Sequence, residues 1–250
     1  MAHLTAAVWI GRASLGAFLL LLWEIAVRLE WIDPLFLASP TQVANVFPGI
    51  WSTALTHLVS TLSEFTLAVT LAVLAGVAAG FLVGSSPHFY QLLGPIAALG
   101  VVIPKVTLIP LFLLWFGLGK SAIVFYGFLS GFFPVFLNSM AGVREVKPSY
   151  LVAARAMGCA PWEIGLKVVL PAAMPVLVSG IFMGSVQAMI GLLIMEMAMA
   201  RYGLGAWIYS LAVNFKTAEL YGAVVITVAV SLSINLSLYY LSERLSVWRG

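Results

Sequence analysis

The segment that decides the fold is VREVKPSYLVAARAMGCAPWEIGLKVV, residues 143–169. Charged and apolar residues are mixed in it at helical spacing, whereas the sequence on either side is almost continuously apolar. Such a segment between long apolar runs indicates a loop at which a chain built for a bilayer meets water and a partner protein. We therefore expect the function of the chain to depend on this loop.

Composition places the chain among integral membrane proteins. Of its 250 residues, 62% are hydrophobic and 8% are charged, whereas about a quarter of the residues are charged in a soluble domain. A helix needs about 20 apolar residues to cross a bilayer, and about six runs approach that length. These runs are residues 13–27, 65–84, 92–118, 121–143, 168–195 and 220–242. Because they are continuous rather than alternating, they predict an all-α fold, a polytopic bundle of about six transmembrane helices.

The N-terminal region is expected to form a unit of its own. Residues 1–57 are predicted to form a first transmembrane helix and then an external surface segment. Within that segment SPTQVANVF, residues 39–47, predicts a short capped helix. Residues 58–250 then form the core transmembrane domain, with its cytoplasmic loop at residues 144–167.

The positions of the basic residues predict that both termini are cytoplasmic, because basic residues in short loops are retained on that side. With the N-terminus inside, the cytoplasmic residues are Arg12, Arg144, Lys147, Arg155, Lys167, Arg244 and Arg249. The external residues are then Arg28, Lys120, Arg201 and Lys216. The bias is strengthened because the loop at residues 144–167 carries the majority of the cytoplasmic set.

Small residues and prolines within the spans indicate a tightly packed bundle with kinked helices. Glycines recur at every fourth position, which lets helices approach closely in lipid. They are Gly76, Gly80 and Gly84, Gly127 and Gly131, and Gly180 and Gly184. The prolines predicted to kink spans are Pro104, Pro110, Pro134 and Pro175. With Lys105, Asn138 and Gln187 in the same spans, they favour a polar-lined route over a rigid anchor.

The chain lacks the residue patterns of an enzyme, a metal site or a nucleic-acid binder. Its histidines are scattered, and no carboxylate pair is placed for acid–base chemistry. The string GLGKS, residues 117–121, imitates a phosphate-binding loop, but Leu114 stands where the first glycine is required and an apolar span precedes it. Energy for any transport must therefore come from another protein.

The loop itself predicts two short helices. Residues 151–157 favour one helix, Gly158 permits a sharp turn, and Pro161 suits the start of a second helix. Two such helices would present alanine, methionine and arginine to a groove in another protein. An ordinary amphipathic loop is the alternative.

These residues resemble the permease subunits of ATP-binding-cassette importers. Ala153-Ala154, Gly158 and Val168-x-Leu170-Pro171 have the spacing of the cytoplasmic "EAA" loop of those permeases. The phrases LIPLFLLWFGLG (108–119), GFFPVFLNSMAGV (131–143) and MEMAMARYGLG (195–205) are similar to the nitrate, sulfonate and taurine branch. The resemblance covers nearly all of the chain beyond about residue 58.

The resemblance implies half of a type I importer with the MetI-like fold, in the cytoplasmic membrane of a bacterium. Its partners would be a second permease copy in a homodimer, two cytoplasmic ATPase subunits, and a periplasmic or lipid-anchored solute-binding protein. The ATPase subunits would bind the ATP and magnesium, so this chain has no cofactor and is no enzyme. The implied ATPase-coupling residues are Ala153, Ala154, Arg155, Gly158, Glu163, Leu170 and Pro171.

The chain departs from the family pattern at three positions. Val152 stands where the family has its leading glutamate, so Glu145 or Glu163 would have to replace that carboxylate. Lys105 stands where relatives more often have proline, and Glu64 where they tend to carry arginine. Docking chemistry and substrate choice are therefore the properties that transfer least.

The predicted translocation path consists of Lys105, Asn138, Ser185, Gln187 and Glu196. A charge in mid-span costs about 2.5 to 3.5 kcal/mol on insertion scales and usually faces a cavity or a partner. Lys105 could therefore bind an anionic substrate, and an ion pair with Glu196 or a snorkelling side chain are the alternatives. Asn138 and Gln187 either bridge helices or line the path, Ser185 accompanies Gln187 if that face is the lining, and Glu196 is expected to be mainly structural.

The predicted solute is a small anion such as nitrate, a sulfonate, taurine, bicarbonate or an organic acid. A permease for an uncharged vitamin or pyrimidine precursor is one alternative. A stand-alone channel or secondary transporter is another, but it predicts an inverted repeat, which the two halves of the sequence do not show.

Overall fold

The computed structural model describes the backbone of residues 2–246 and the side chains of residues 8–240, and every regular element in this range is helical. The helices are α1 (Ala2–Arg28), α2 (Pro40–Ser85), α3 (Pro87–Val102), α4 (Ile109–Phe116), α5 (Lys120–Arg144), α6 (Pro148–Ala156), α7 (Pro161–Ile164), α8 (Leu170–Met199), α9 (Leu204–Val213) and α10 (Thr217–Ser246). The all-α prediction is confirmed. Arg249 and the side chain of Arg244, both used to predict orientation, lie outside the described residues.

Helix α2 is longer than the sequence suggested. The predicted cap is present, because Ser39 Oγ accepts a hydrogen bond from the backbone N–H of Gln42 and the Gln42 side chain accepts one from the N–H of Ser39. The prediction of a short surface helix is wrong, since α2 continues through Pro48 to Ser85. Its first half mixes polar and apolar residues because one face packs on α9 and α10 through residues such as Ile50. The proposed boundary at residues 57 and 58 falls inside this helix.

The span predicted at residues 92–118 is not one straight helix. Helix α3 and the segment Lys105–Phe116 meet at a bend of 89°. The bend lies at Ile103 and Pro104, after which a 3-10 turn, Lys105–Leu108, leads into α4. Proline has no N–H to continue the ladder of α3, which explains why the helix stops there.

Helices α2 and α5 run parallel at the centre of the bundle. A Cβ added at Gly76 would lie 2.9 Å from Val135 Cβ, and one added at Gly84 would lie 2.9 Å from Val143 Cβ. Contacts that advance in the same direction along both helices require parallel axes. The segment between them, residues 87–116, must therefore carry the chain back across the layer. With the long helices α1, α2, α5, α8 and α10, this broken pair gives up to 6 spans among the described residues.

Helix α8 packs antiparallel to α5 through the other predicted glycine positions. A Cβ at Gly131 would lie 2.8 Å from the carbonyl oxygen of Gly184, and one at Gly180 would lie 3.5 Å from that of Pro134. The prediction that the glycines permit close approach is thus confirmed for this pair as well.

Candidate functional site

The loop between α5 and α8 has the two-helix form that the sequence predicted. Helix α6 ends in a hydrogen-bonded turn in which the N–H of Gly158 donates to the carbonyl of Arg155, at 3.0 Å, and the N–H of Cys159 donates to that of Ala154, at 3.1 Å. Gly158 has a φ of +79°, which glycine adopts without steric cost. Helix α7 begins at Pro161 as expected and passes through a π-helical turn, Gly165–Val169, into α8.

The inner face of the loop is packed against the ends of α5 and α8. Ala154 is only 5% exposed and shares an apolar cluster with Val143, Val146, Ile164 and Val169. Because these residues come from the end of α5 and the turn after it, from α6, from α7 and from the turn before α8, the cluster joins the loop to both long helices.

The outer face of the loop exposes large apolar side chains. Met157 is 83% exposed, Trp162 65% and Val152 63%. Of the residues expected in coupling, Ala153 and Arg155 also lie on the exposed side. Exposed apolar groups of this size are typical of a surface that contacts another protein or a membrane.

The remaining coupling candidates have structural roles. The carboxylate of Glu163 accepts a hydrogen bond of 2.9 Å from the N–H of Ala160 and a charged one of 2.7 Å from Lys167 Nζ. It therefore caps α7. Leu170 and Pro171 form the first turn of α8, directly after the π-helical turn.

A cavity of about 170 Å³ lies where the broken pair faces α5 and α8. Lys105 and Gln187 line it together with Tyr126, Ser130 and Gly191. The ammonium group of Lys105 is 6.0 Å from the centre of the Phe133 ring, the distance of a cation–π contact. Interrupted backbone at membrane depth is tolerated where it lines a cavity, and the break at Pro104 is of this kind.

A second cavity, of about 460 Å³, continues along the same face of α5 and α8. Gln187 lines both cavities, whereas Asn138 lines only the second and also donates a hydrogen bond of 2.9 Å to the carbonyl of Pro134. Ser185 does not line either of them, because it is buried and donates to the carbonyl of Ile181 at 2.8 Å. Four of the polar side chains that line these cavities are Lys105, Ser130, Asn138 and Gln187, and we call them the path residues after the translocation path that the sequence predicts, although Ser130 was not part of that prediction.

Glu196 lies apart from the path residues. It is fully buried, and its two oxygens accept hydrogen bonds from Thr61 Oγ1, at 2.7 Å, and from the N–H of Gly205, at 2.8 Å. The alternative of an ion pair with Lys105 is wrong, since no ion pair among the described side chains joins the two. Glu196 instead fixes the turn between α8 and α9.

Sequence reasoning did not single out Tyr126, Ser130, Thr61 or the surroundings of Glu64. Tyr126 and Ser130 stand among the apolar residues of α5 like other small or aromatic packing residues. Thr61 meets Glu196 across a separation of 135 positions, which no local pattern records. The four-residue spacing of Ser130 from Tyr126 places both on one face of α5, and this spacing was the one sequence pattern that could have linked them.

A broken transmembrane helix beside a polar cavity, together with a two-helix loop anchored on two long spans, defines the architecture of a membrane permease. The chain belongs to the family of binding-protein-dependent transport system inner membrane components, whose pattern matches residues 72–247. Members of this family are the integral, non-catalytic subunits of importers. They work with ATPase and solute-binding partners in the inner membrane, as the resemblance implied.

Several relatives align over most of the chain. The taurine transport system permease protein TauC of Escherichia coli is 30% identical over 241 residues, which cover 94% of this chain and 88% of that one. The riboflavin transport system permease protein RibX of Chloroflexus aurantiacus is 31% identical, covering 92% and 86%. The nitrate import permease protein NrtB of Leptolyngbya laminosa is 25% identical, covering 87% and 76%.

A solved structure shares the fold. The inward-facing MetNI methionine ABC transporter contains a chain that superposes with a TM-score of 0.66 at 20% identity, covering 80% of this chain and 98% of that one. The MetI-like fold that the resemblance implied is therefore confirmed.

Proposed function

We propose that the chain forms the path of a small anion in an ATP-binding-cassette importer, with Lys105 as the residue that attracts the anion. The observation that carries the proposal is the position of Lys105 at the break between α3 and α4, on the wall of a cavity that Gln187 also lines. A relative named for nitrate supports an anionic substrate, and one named for taurine supports a substrate with an anionic sulfonate group, although taurine is a zwitterion. A relative named for riboflavin keeps an uncharged substrate as the second candidate.

The break makes a charge acceptable at this depth. Lys105 begins a 3-10 turn rather than sitting within a continuous helix, and it is half-buried. Its only described charge contact is the face of Phe133, so its ammonium donors remain available to a ligand. Gln187 and Ser130 add neutral hydrogen-bonding groups to the same cavity, which suits a compact oxyanion.

Replacement of Lys105 tests this proposal. In the reconstituted importer, Lys105→Met should raise the KM for an anionic solute about tenfold to a hundredfold, because a hydrogen bond to a charged group contributes about 1.5 to 3 kcal/mol. The matched control is Lys216→Met, which removes an exposed lysine paired with Glu219 and should leave KM unchanged. An unaltered KM in Lys105→Met would favour the uncharged substrate instead.

The loop between α5 and α8 is proposed to dock on the ATPase. Its exposed face supplies Met157, Trp162 and Val152 to a groove, and the buried Ala154 links the loop to both long helices. The carboxylate of Glu163 is engaged in capping α7, whereas Glu145 is exposed at the end of α5. Glu145 is therefore the better substitute for the carboxylate that Val152 lacks.

Hydrolysis measurements test the docking role. No atom of the chain lies within 4 Å of a Cβ built at Gly158, so Gly158→Trp projects its ring toward a partner rather than into the permease. We expect it to abolish substrate-stimulated ATP hydrolysis while membrane insertion stays normal. Gly158→Ala controls for the backbone strain of a positive φ, about 1 kcal/mol.

Ala154→Asp should also uncouple hydrolysis, because it buries a charge in the anchoring cluster. Normal stimulation in both Gly158→Trp and Ala154→Asp would refute the role.

The proposed assembly has two copies of this chain, two ATPase subunits and one external binding protein, with both termini in the cytoplasm. The guanidinium of Arg144 lies 3.9 Å from the centre of the Tyr90 ring. This contact brings the loop between α2 and α3 to the same side as the docking loop, which supports the orientation predicted from the basic residues. A cysteine accessibility assay at Ser86 and at Lys120 tests it, since only the second should react from outside.

A further inference from the structure

Two carboxyl groups are buried against each other beneath the turn between α8 and α9. Glu64 of α2 is 2% exposed and Glu196 of α8 is 0% exposed. Thr61 of α2 donates to Glu196 Oε1, and Glu64 follows Thr61 by three residues on the same helix, so the two carboxyl groups share one buried site. Two carboxylates this close in a poorly solvated site repel strongly, so such a pair normally retains one proton.

The hydrogen bonds around the pair are unequal. Both oxygens of Glu196 accept strong bonds, from Thr61 Oγ1 and from the N–H of Gly205, as an ionised carboxylate does. Glu64 Oε1 accepts only a long bond of 3.3 Å from Ser60, and Glu64 Oε2 is buried without a donor. An unpartnered buried acceptor is costly, whereas a protonated Oε2 becomes a donor, for which the neighbouring carboxylate of Glu196 is a suitable acceptor.

Other ionisable groups face the pair from the neighbouring elements. Lys120 at the start of α5 and Arg201 after α8 line a cavity of about 240 Å³ together with Glu64 and Tyr202. His57 of α2 accepts a hydrogen bond of 3.1 Å from the backbone N–H at position 203 and thereby contacts the same turn. Lys120 and Arg201 are exposed, so water screens their charges, while the cavity gives a proton a route to the medium.

We propose that Glu64 and Glu196 form a proton-binding site in which one proton, carried on Glu64 Oε2, bridges the two carboxyl groups and fixes the turn between α8 and α9. The proton exchanges with water through the cavity beside Lys120, on the side of the membrane that the proposed orientation makes external. Its release leaves two adjacent carboxylates, which separate and weaken the hold of Glu196 on Gly205. This site is distinct from the path residues, and it stands whatever solute the permease moves.

The site links the stability of the turn to external pH. The folded protein retains a proton that an unfolded glutamate gives up at lower pH, so stability decreases as pH rises. While only the folded protein holds the proton, the unfolding constant should increase about tenfold for each pH unit. The increase should end once the folded protein has also released the proton. At acidic pH the proton should stay bound, and the turn between α8 and α9 should keep its full stability.

Infrared spectroscopy of the complete reconstituted importer tests the proposal. The carbonyl stretch of a protonated carboxyl should be present at neutral pH, should disappear on titration to alkaline pH, and should be missing from Glu64→Gln. The amide that this substitution introduces can still donate to Glu196, so the variant should assemble and should lose the decrease in melting temperature with rising pH. Glu219→Gln, which removes a partly exposed carboxylate, should keep both the band and the decrease.

Two results would overturn the proposal. One is the absence of a protonated-carboxyl band from the unsubstituted importer at neutral pH. This result would refute the bound proton even if Glu64→Gln fails to assemble. The other is a Glu64→Gln importer that keeps the band and the pH profile of the unsubstituted protein.

Discussion

The hydroxyl of Thr61 donates a hydrogen bond of 2.7 Å to Glu196 Oε1 and accepts one of 2.8 Å from the N–H of Leu204. One side chain of α2 thereby joins the end of α8 to the start of α9. In Thr61→Val the shape is kept but both partners lose a bond inside a buried site. We expect a loss of stability of about 2 to 6 kcal/mol, at about 1 to 3 kcal/mol for each of the two orphaned groups. Thermal denaturation of the purified importer measures it.

Thr61→Ser is the matched control, because its hydroxyl can make both bonds. It should melt close to the unsubstituted protein. Equal losses in the valine and serine variants would show that the methyl group of Thr61 matters, rather than its hydroxyl.

A pair of glycines in α2 tests the close packing of α2 on α5. A Cβ at Gly80 would collide with Ser139 and would lie 2.7 Å from the carbonyl oxygen of Phe136, whereas nothing lies within 4 Å of a Cβ at Gly49. Gly80→Ala should destabilise the bundle by about 1 to 3 kcal/mol through overpacking. Gly49→Ala should be neutral or stabilising by up to about 1 kcal/mol, since alanine favours a helix. Melting curves that rank the two variants the other way would contradict the packing.

Another pair of glycines, in α3, tests the contact between Phe133 and Lys105. A Cβ at Gly100 would collide with the Phe133 ring, whereas one at Gly94 would lie an ordinary 3.8 Å from Tyr90. The ring can turn away, so Gly100→Ala should cost little stability but should displace the partner of Lys105. The transport KM should change about twofold to fivefold, as expected for a cation–π contact. Gly94→Ala should transport normally. A normal KM in Gly100→Ala as well would show that the contact between Phe133 and Lys105 does not affect transport.

Much of the architecture was predictable because apolar length and glycine spacing are local signals. The turn at Gly158, the start of α7 at Pro161 and the cap at Ser39 all depend on neighbouring residues, and all are present. The extent of α2 was missed, since its first half alternates in polarity where it packs on α9 and α10. A surface helix would have the same pattern.

The site was predictable only in part. Lys105 stood out because a charge in an apolar run is rare, but the bend at Pro104 that gives it a cavity depends on how α3 and α4 pack on α5. Glu196 was expected to be structural, and its hydrogen bonds agree with that expectation. Its proximity to Glu64 could not be inferred, because the helices that carry them meet only in the folded bundle.

Cross-linking tests most directly whether the loop between α5 and α8 contacts the ATPase subunit. Cys159 is the only cysteine of the chain, so a Cys159→Ser background carrying Met157→Cys places a single thiol on the exposed face. We predict that a short bifunctional reagent links this thiol to the ATPase subunit in membranes, and that Val213→Cys, exposed at the end of α9, gives no such product. An importer that hydrolyses ATP normally while Met157→Cys forms no adduct with the ATPase would contradict the account.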